Sequence, residues 1–273
     1  MAVTAVHQSL IPHANRFLSA LPAADYRLLA PRLHPTALGQ GTTLHHADAP
    51  IDHVYFLQSG MVSIVVTLRD GTVVETVTLG RAGVICANAA LGSRHAVGTA
   101  LVQIPGKASR MTVRHFQEAA HQSAAIRELA VRYNDLLMAQ LQQSVACNAL
   151  HDLAQRLCRW LLHSQDCCDG DALPLTQEFL GEMLGVRRTS VTHAERQLQD
   201  AGIISYRRGQ MHIDDRAALE RRACECYFTL KDRIAKVFPR IPMLSDGHSH
   251  YPPKGSPDSA PMSKLRRAVT AIR

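Results

Sequence analysis

Between Arg187 and Arg208 the chain sets five arginines against two carboxylates, Glu195 and Asp200, a local excess of three positive charges. Arg188, Thr189, Thr192 and His193 fall on one side of a helical projection and make that side short, polar and rich in hydrogen-bonding groups. Cations and donors spaced in this way recognise phosphates and the edges of bases; they do not build a nucleophile and its base. No GxSxG, HExxH or Walker signature occurs in the 273 residues, and no carboxylate pair at catalytic spacing is identifiable. An enzyme is therefore not expected.

The elements that must present this face can be read from Leu175 to Ile213. Thr176 suits a helix N-cap, and Gln177 and Glu178 follow in a first turn where the helix dipole favours negative charge. Phe179, Leu180, Met183 and Leu184 form an apolar face, Gly181 leaves room for a second helix to cross closely, and Gly185 ends the helix. A second helix from Arg188 to Leu198 turns Val191, Ala194 and Leu198 inward. Two helices joined by a short turn containing glycine form a helix-turn-helix, whose second helix enters the major groove of DNA. Gly202 to Tyr206 and Met211 to Ile213 read as two short strands around Arg207-Arg208-Gly209-Gln210, a wing whose cations would meet phosphate.

Upstream, Asn15 to Leu33 fits short helical turns interrupted by Pro22 and ended near Pro31. From Thr42 to Met111 the runs His53 to Leu57, Met61 to Leu68, Val73 to Leu79 and Val97 to Ile104 are rich in β-branched residues, and Asp70-Gly71 predicts a type I′ hairpin. These runs predict a compact antiparallel β domain. Next comes an amphipathic helix of about six turns. Its apolar stripe, Ile126, Leu129, Tyr133, Leu136, Leu137, Leu141 and Val145, is expected to pair with the same helix of a second copy, the alternative being packing on its own β domain alone. A helix from His151 to Leu162 and a loop from Ser164 to Asp171 follow.

Composition sets the class. With 46% hydrophobic and 19% charged residues, the chain is neither disordered nor membrane-like, and its N-terminus lacks a signal-peptide pattern. Seven cysteines without a disulfide pattern fit a reducing cytoplasm. Of the net charge of +7, residues 236–273 supply +5, from seven basic and two acidic side chains. That segment also holds six of the thirteen prolines and reads as a disordered tail.

The segment IDHVYFLQSGMVSIV with Asp70-Gly71, the connecting helix, and LTQEFLGEMLGVRRTSVT followed by LQDAGIISYRRG together resemble the Crp/Fnr transcription regulators over about residues 15–230. The resemblance implies an α+β protein in four parts. These are a helical lead-in with a cyclic-nucleotide-binding-like β-roll (1–122), a dimerisation helix (123–147), a winged helix-turn-helix (148–235) and a basic tail (236–273). It further implies a bacterial, cytoplasmic homodimer that binds double-stranded DNA at a pseudo-palindromic site and contacts RNA polymerase, with no membrane partner. Arg188, Thr189, Thr192 and His193 fall on the family's base-reading positions. Arg187, Ser190, Arg207 and Arg208 are placed to hold phosphates, Arg187 standing where relatives often carry a capping Ser or Thr. The competing reading is a small-molecule sensor whose winged helix serves protein contacts.

The effector cassette departs from the family. Nucleotide-binding members carry a Glu for the ribose and an Arg for the cyclic phosphate; here the Glu position holds Ala87 and the Arg position falls near His95, with Arg94 beside it. Cyclic AMP is therefore not expected as a tight ligand, since neutral His cannot match the bidentate charge of Arg. An iron–sulfur cluster is not expected either, because no cysteine precedes Cys86. Cys167-Cys168, Cys224-Glu225-Cys226, His45-His46 with His53, and His248 with His250 read as packing or surface residues, so no cofactor and no metal ligand is assigned.

Overall fold

The Pro22 interruption divides the start of the described chain into two short helices, α1 (Arg16–Ser19) and α2 (Ala23–Leu29); the computed structural model describes residues 14–168, 172–207 and 210–238. Asn15 is fully buried and does two jobs. Its Oδ1 accepts from the Leu18 amide at 3.2 Å, capping α1, while Nδ2 donates to the carbonyls of Leu57 and Gly83 at 2.8 and 2.9 Å. A satisfied buried amide thus ties the lead-in to the β domain.

Eight strands follow: β1 (His34–Leu38), β2 (Thr43–His45), β3 (His53–Leu57), β4 (Met61–Thr67), β5 (Val73–Leu79), β6 (Val84–Ile85), β7 (Thr99–Ile104) and β8 (Gly106–Thr112). They form two antiparallel four-stranded sheets, ordered β1-β8-β3-β6 and β2-β7-β4-β5. Leu57, Val62, Val77, Leu79, Ile85 and Val102 pack together between them. The patterning missed the short β2 and β6, and it missed β1 and β8 for physical reasons. Pro35 is tolerated because β1 is an edge strand, and Lys107, Ser109 and Arg110 dilute the β-branched signal of β8.

The β4–β5 hairpin corrects the expected turn type. Only Gly71 has positive φ, at 86°, and the bonds Leu68 N to Thr72 O and Gly71 N to Leu68 O close a loop of three residues. That is a type I turn followed by a left-handed glycine, in place of the two-residue type I′.

The helical part begins with α3 (Val113–Gln122) and α4 (Ala124–Leu150), a 27-residue helix capped by Ser123, whose Oγ accepts from the Ile126 amide at 3.0 Å. Helix α5 (Leu153–Cys167) runs five residues beyond the expected end. Ser164 bonds back to the Trp160 carbonyl at 2.9 Å, and Asp166 pairs with Arg216 at 2.8 Å, so polar residues that read as a loop are held in the helix by their partners. Strand β9 (Ala172–Leu173), α6 (Gln177–Leu184), α7 (Arg188–Asp200), β10 (Ile204–Arg207) and β11 (Gln210–Ile213) make the winged helix-turn-helix, with sheet order β10-β11-β9. Helices α8 (Arg216–Arg222) and α9 (Cys226–Val237) close the described chain; the tail from 239 onward lies outside it.

Helix α4 divides its apolar residues between two faces. Ile126, Leu129, Tyr133 and Leu136 are buried with Phe17, Phe56 and Phe116, so these four of the seven residues expected at a dimer face are spent inside the protomer. Leu137 and Leu141 are half-buried, and Val145 is 70% exposed. A separate row, Val131, Met138 and Val145, lies exposed at seven-residue intervals.

His163 is buried against Tyr227, with ring centroids 5.2 Å apart and Nε2 lacking a hydrogen-bond partner. Burial pushes its pKa down to about 3, and the charge of Arg159 adds to the effect. The unfolded chain therefore takes up a proton near the ordinary histidine value while the folded chain does not, so stability is fully present above about pH 6.5 and is lost as pH falls towards 3. His163→Phe is expected to remove that share of acid sensitivity, several kcal/mol in size, read as a flatter dependence of the unfolding midpoint on pH.

Candidate nucleic-acid interface

Local sequence builds the first helix of the motif as expected. Thr176 Oγ1 accepts from the Phe179 amide at 3.2 Å, and Gly185 ends α6 at φ 66° and ψ 38°. Gly181 is required by proximity: a Cβ there would stand 3.0 Å from the Val186 carbonyl and 3.5 Å from the Arg188 amide. Gly185, Val186 and Arg187 form the turn, and α7 starts at Arg188 with Val191, Ala194 and Leu198 buried beneath it. Arg187 occupies the N-cap without making a side-chain cap, which leaves its guanidinium directed at solvent.

The exposed start of α7 carries Arg187, Arg188, Thr189 and Ser190, with His193 and Gln197 one and two turns on. His193 Nε2 lies 3.2 Å from Gln197 Nε2. Thr192 differs from the expectation. It is half-buried, and its hydroxyl is engaged with Gln177 Oε1 and the Arg188 carbonyl, each at 3.0 Å. Its hydroxyl serves the motif's own structure, leaving the methyl as the part a base could meet.

Behind Thr192 lies a network that the sequence did not reveal. Gln177 Nε2 donates to Glu195 Oε2 at 2.7 Å, and the Tyr206 hydroxyl donates to Glu195 Oε1 at 2.6 Å. Glu195 is wholly buried, and desolvation raises its pKa while both donors hold it down. The carboxyl thereby fixes three elements at once: α6 through Gln177, α7 through its own backbone and the wing through Tyr206. The spacing from 177 to 195 to 206 is tertiary, which is why periodicity carried no sign of it.

On the wing, Arg207 is exposed but paired with Asp214 at 3.1 Å, so part of its charge is already met. Arg208, the other expected phosphate cation, lies outside the described residues. Across from the start of α7 stands the tip of the β4–β5 hairpin. Gly71, Thr72 and Val73 face Glu178, Glu182, Arg187 and Arg188 over an open cleft of about 440 Å³. The surface that would read a base is therefore bounded on one side by the β domain.

Known proteins share this arrangement. Residues 35–123 match the cyclic nucleotide-binding domain family and residues 155–222 the Crp-like helix-turn-helix domain family. Among solved structures, a Crp/Fnr-family transcriptional regulator from Eubacterium rectale superposes with a TM-score of 0.59 at 18% identity, covering 74% of this chain and 94% of that one. FixK2 from Bradyrhizobium japonicum gives 0.59 at 17% identity over 70% and 98%. A Crp-family regulator from Thermus thermophilus gives 0.56 at 21% identity over 69% and 96%. No curated protein matches the chain.

The first of these family names carries a ligand with it, and the residues in the corresponding segment do not fit a cyclic nucleotide. Ala87 is buried in an apolar cluster at the start of a 3-10 turn, Ala87–Leu91, and its methyl group accepts no hydrogen bond from a ribose. Arg94 and His95 are exposed, and their stretch is held by its backbone, through the Arg94 carbonyl to the Ile51 amide at 2.9 Å. Neither side chain forms the enclosed bidentate cation that a cyclic phosphate calls for.

Glu195→Ala would leave the Tyr206 hydroxyl and the Gln177 amide without their acceptor. A loss of about 1–3 kcal/mol for each donor left buried and unpaired is expected in urea unfolding. Glu195→Gln, which keeps the shape and one acceptor, should lose clearly less.

Proposed function

We propose that the chain is a DNA-binding transcriptional regulator of the Crp/Fnr type that works as a homodimer binding a pseudo-palindromic operator without need of cyclic AMP, a reading that its two domain matches and its fold support. The observation that carries the reading is the start of α7. It projects Arg187, Arg188, Thr189 and Ser190 from a turn closed by Gly185, where a helix enters a major groove. Arg188 offers two parallel donors to guanine O6 and N7 and is the principal specificity residue, supported by Thr189, His193 and the methyl group of Thr192. Arg187, Ser190, Arg207 and Arg208 hold phosphates and set the register.

The row Val131, Met138 and Val145 supports the dimer, because apolar residues seven apart keep one seam turned towards a partner helix. Ala87, Arg94 and His95 support independence from cyclic AMP, and the absence of cysteines before Cys86 speaks against an iron–sulfur cluster. No helix among the described residues is long and apolar enough to cross a membrane. The proposal places the protein in the bacterial cytoplasm, with RNA polymerase as its further partner and no catalytic step of its own.

Selection of the ligand-free, full-length protein on a randomised duplex library, repeated with cyclic AMP, tests this. The expected result is one palindrome with half-sites about 34 Å apart, enriched equally in both conditions. Enrichment that needs cyclic AMP would overturn the reading of Ala87 and His95, and an enriched site without two-fold symmetry would overturn the dimer. On the selected site, Arg188→Ala should cost about 1–3 kcal/mol and relax preference at one position per half-site, whereas Arg187→Ala should weaken all duplexes alike and lower the salt slope by about one. Equal losses on operator and random DNA from both variants would refute the division of roles.

A further inference from the structure

Two stretches of chain far apart in sequence bring four soft ligands together. Cys147 lies in the last turn of α4, His151 directly follows that helix, Cys224 lies in the α8–α9 connection, and Cys226, beyond Glu225, opens α9. Their ligand atoms all lie within 4.8 Å of one another. Cys147 Sγ stands 3.6 Å from Cys224 Sγ, and Cys226 Sγ stands 3.5 Å from His151 Nδ1. The three cysteines are buried and form a small cluster of their own.

The geometry points to a tetrahedral Cys3His zinc site formed by Cys147, His151, Cys224 and Cys226. With Zn–S near 2.3 Å and Zn–N near 2.0–2.1 Å, a tetrahedron has S···S edges of about 3.8 Å and S···N edges of about 3.5 Å. The two measured edges are of this size before any ion draws the ligands together. An iron–sulfur cluster holds its thiolates around a body of several atoms and needs a wider set. Four protein ligands leave no open position, so the site is of the closed, structural class and not a catalytic one.

The surroundings fit that assignment. His151 Nε2 lies 3.2 Å from a Glu225 carboxylate oxygen, which fixes the tautomer with Nδ1 free to ligate, the usual carboxylate–histidine–metal order. Gln143 Nε2 donates to Cys226 Sγ at 3.0 Å, a bond that favours a thiolate there. Three thiolates and a dication sum to one negative charge, and the guanidiniums of Arg156 and Arg159 act on these thiols. Each of the two arginines keeps a buried Nε without a hydrogen-bond partner. Binding would exchange thiol protons for Zn–S bonds, releasing the protons to water, and no electron moves. Its mechanical effect would be to clamp the end of α4 and the junction with α5 to the α8–α9 turn, at the point where the long helix passes into the DNA-binding half.

Metal analysis of the full-length chain, purified in reductant, should find one zinc per chain. After chelation, titration with Co(II) alone should give thiolate charge-transfer and tetrahedral ligand-field bands that saturate at one equivalent. Cys147→Ser and Cys226→Ser should each abolish these bands, while Cys86→Ser keeps them. Since a ligand variant could fail to fold, the wild-type titration decides by itself: no thiolate bands from the reduced wild type would overturn the site. So would bands that persist in both ligand variants, or a Cys147–Cys224 disulfide that forms with no metal present.

Discussion

One buried carboxyl joins the β domain to the DNA-binding half. Glu75, on β5, accepts from Ser63 of β4, from Thr78 at 2.7 Å and from the Trp160 indole of α5 at 3.1 Å. Burial alone drives its pKa up, and the three donors with the nearby charge of Arg159 oppose that drift. A carboxyl in such a place is tolerated only while every donor stays in position, so its cost becomes a constraint on where α5 can sit. Around it the apolar core is continuous. Met61, Val65 and Ile104 of the β domain share one cluster with Leu157, Trp160, Leu180 and Leu198 of the winged helix. At the far end of α5, Cys167 approaches so closely that a side chain at Gly80 would collide with its sulfur. The start of α7 is thus held beside the β4–β5 hairpin by a packed seam and not by a loose linker.

What could be read from the sequence was what is encoded locally. Thr176, Gly181, Gly185 and the Val191-Ala194-Leu198 stripe specify the helix-turn-helix within some twenty residues, and each stands where caps, glycine geometry and periodicity put it. What escaped depends on partners distant in sequence. Thr192 and Arg207 looked like free donors because Gln177 and Asp214 are brought to them only by the fold. The last turn of α5 looked like a loop because its polar residues find Arg216 and Tyr227 some fifty to sixty positions away. The cysteines follow the same rule: Cys224 and Cys226 gave no metal spacing because their third and fourth companions lie at 147 and 151.

The stripe on α4 is a further case. Apolar periodicity reports how much of a helix is covered, not what covers it. The residues that recur most regularly, Ile126, Leu129, Tyr133 and Leu136, are taken by the protomer's own core, and what stays exposed is the sparser row through Met138. A dimer built on that row buries less apolar surface than the full stripe would suggest. The two ends of the helix therefore matter more to its placement.

Those ends are tied in different ways. Near the N-terminal end, the Tyr133 hydroxyl accepts from the Val84 amide at 2.8 Å, fastening α4 to the segment that leads into the nucleotide cassette of this family. Midway, Gln140 donates to the Thr78 carbonyl at 3.0 Å, beside Glu75. At the C-terminal end the cluster around Cys147 meets the last two helices. In this cassette Ala87 is a buried methyl group, so the first tie is made by the backbone amide of Val84 and the phenol of Tyr133. The other two ties, at the seam around Glu75 and at the thiol cluster, fix the course of α4 towards the winged helix-turn-helix.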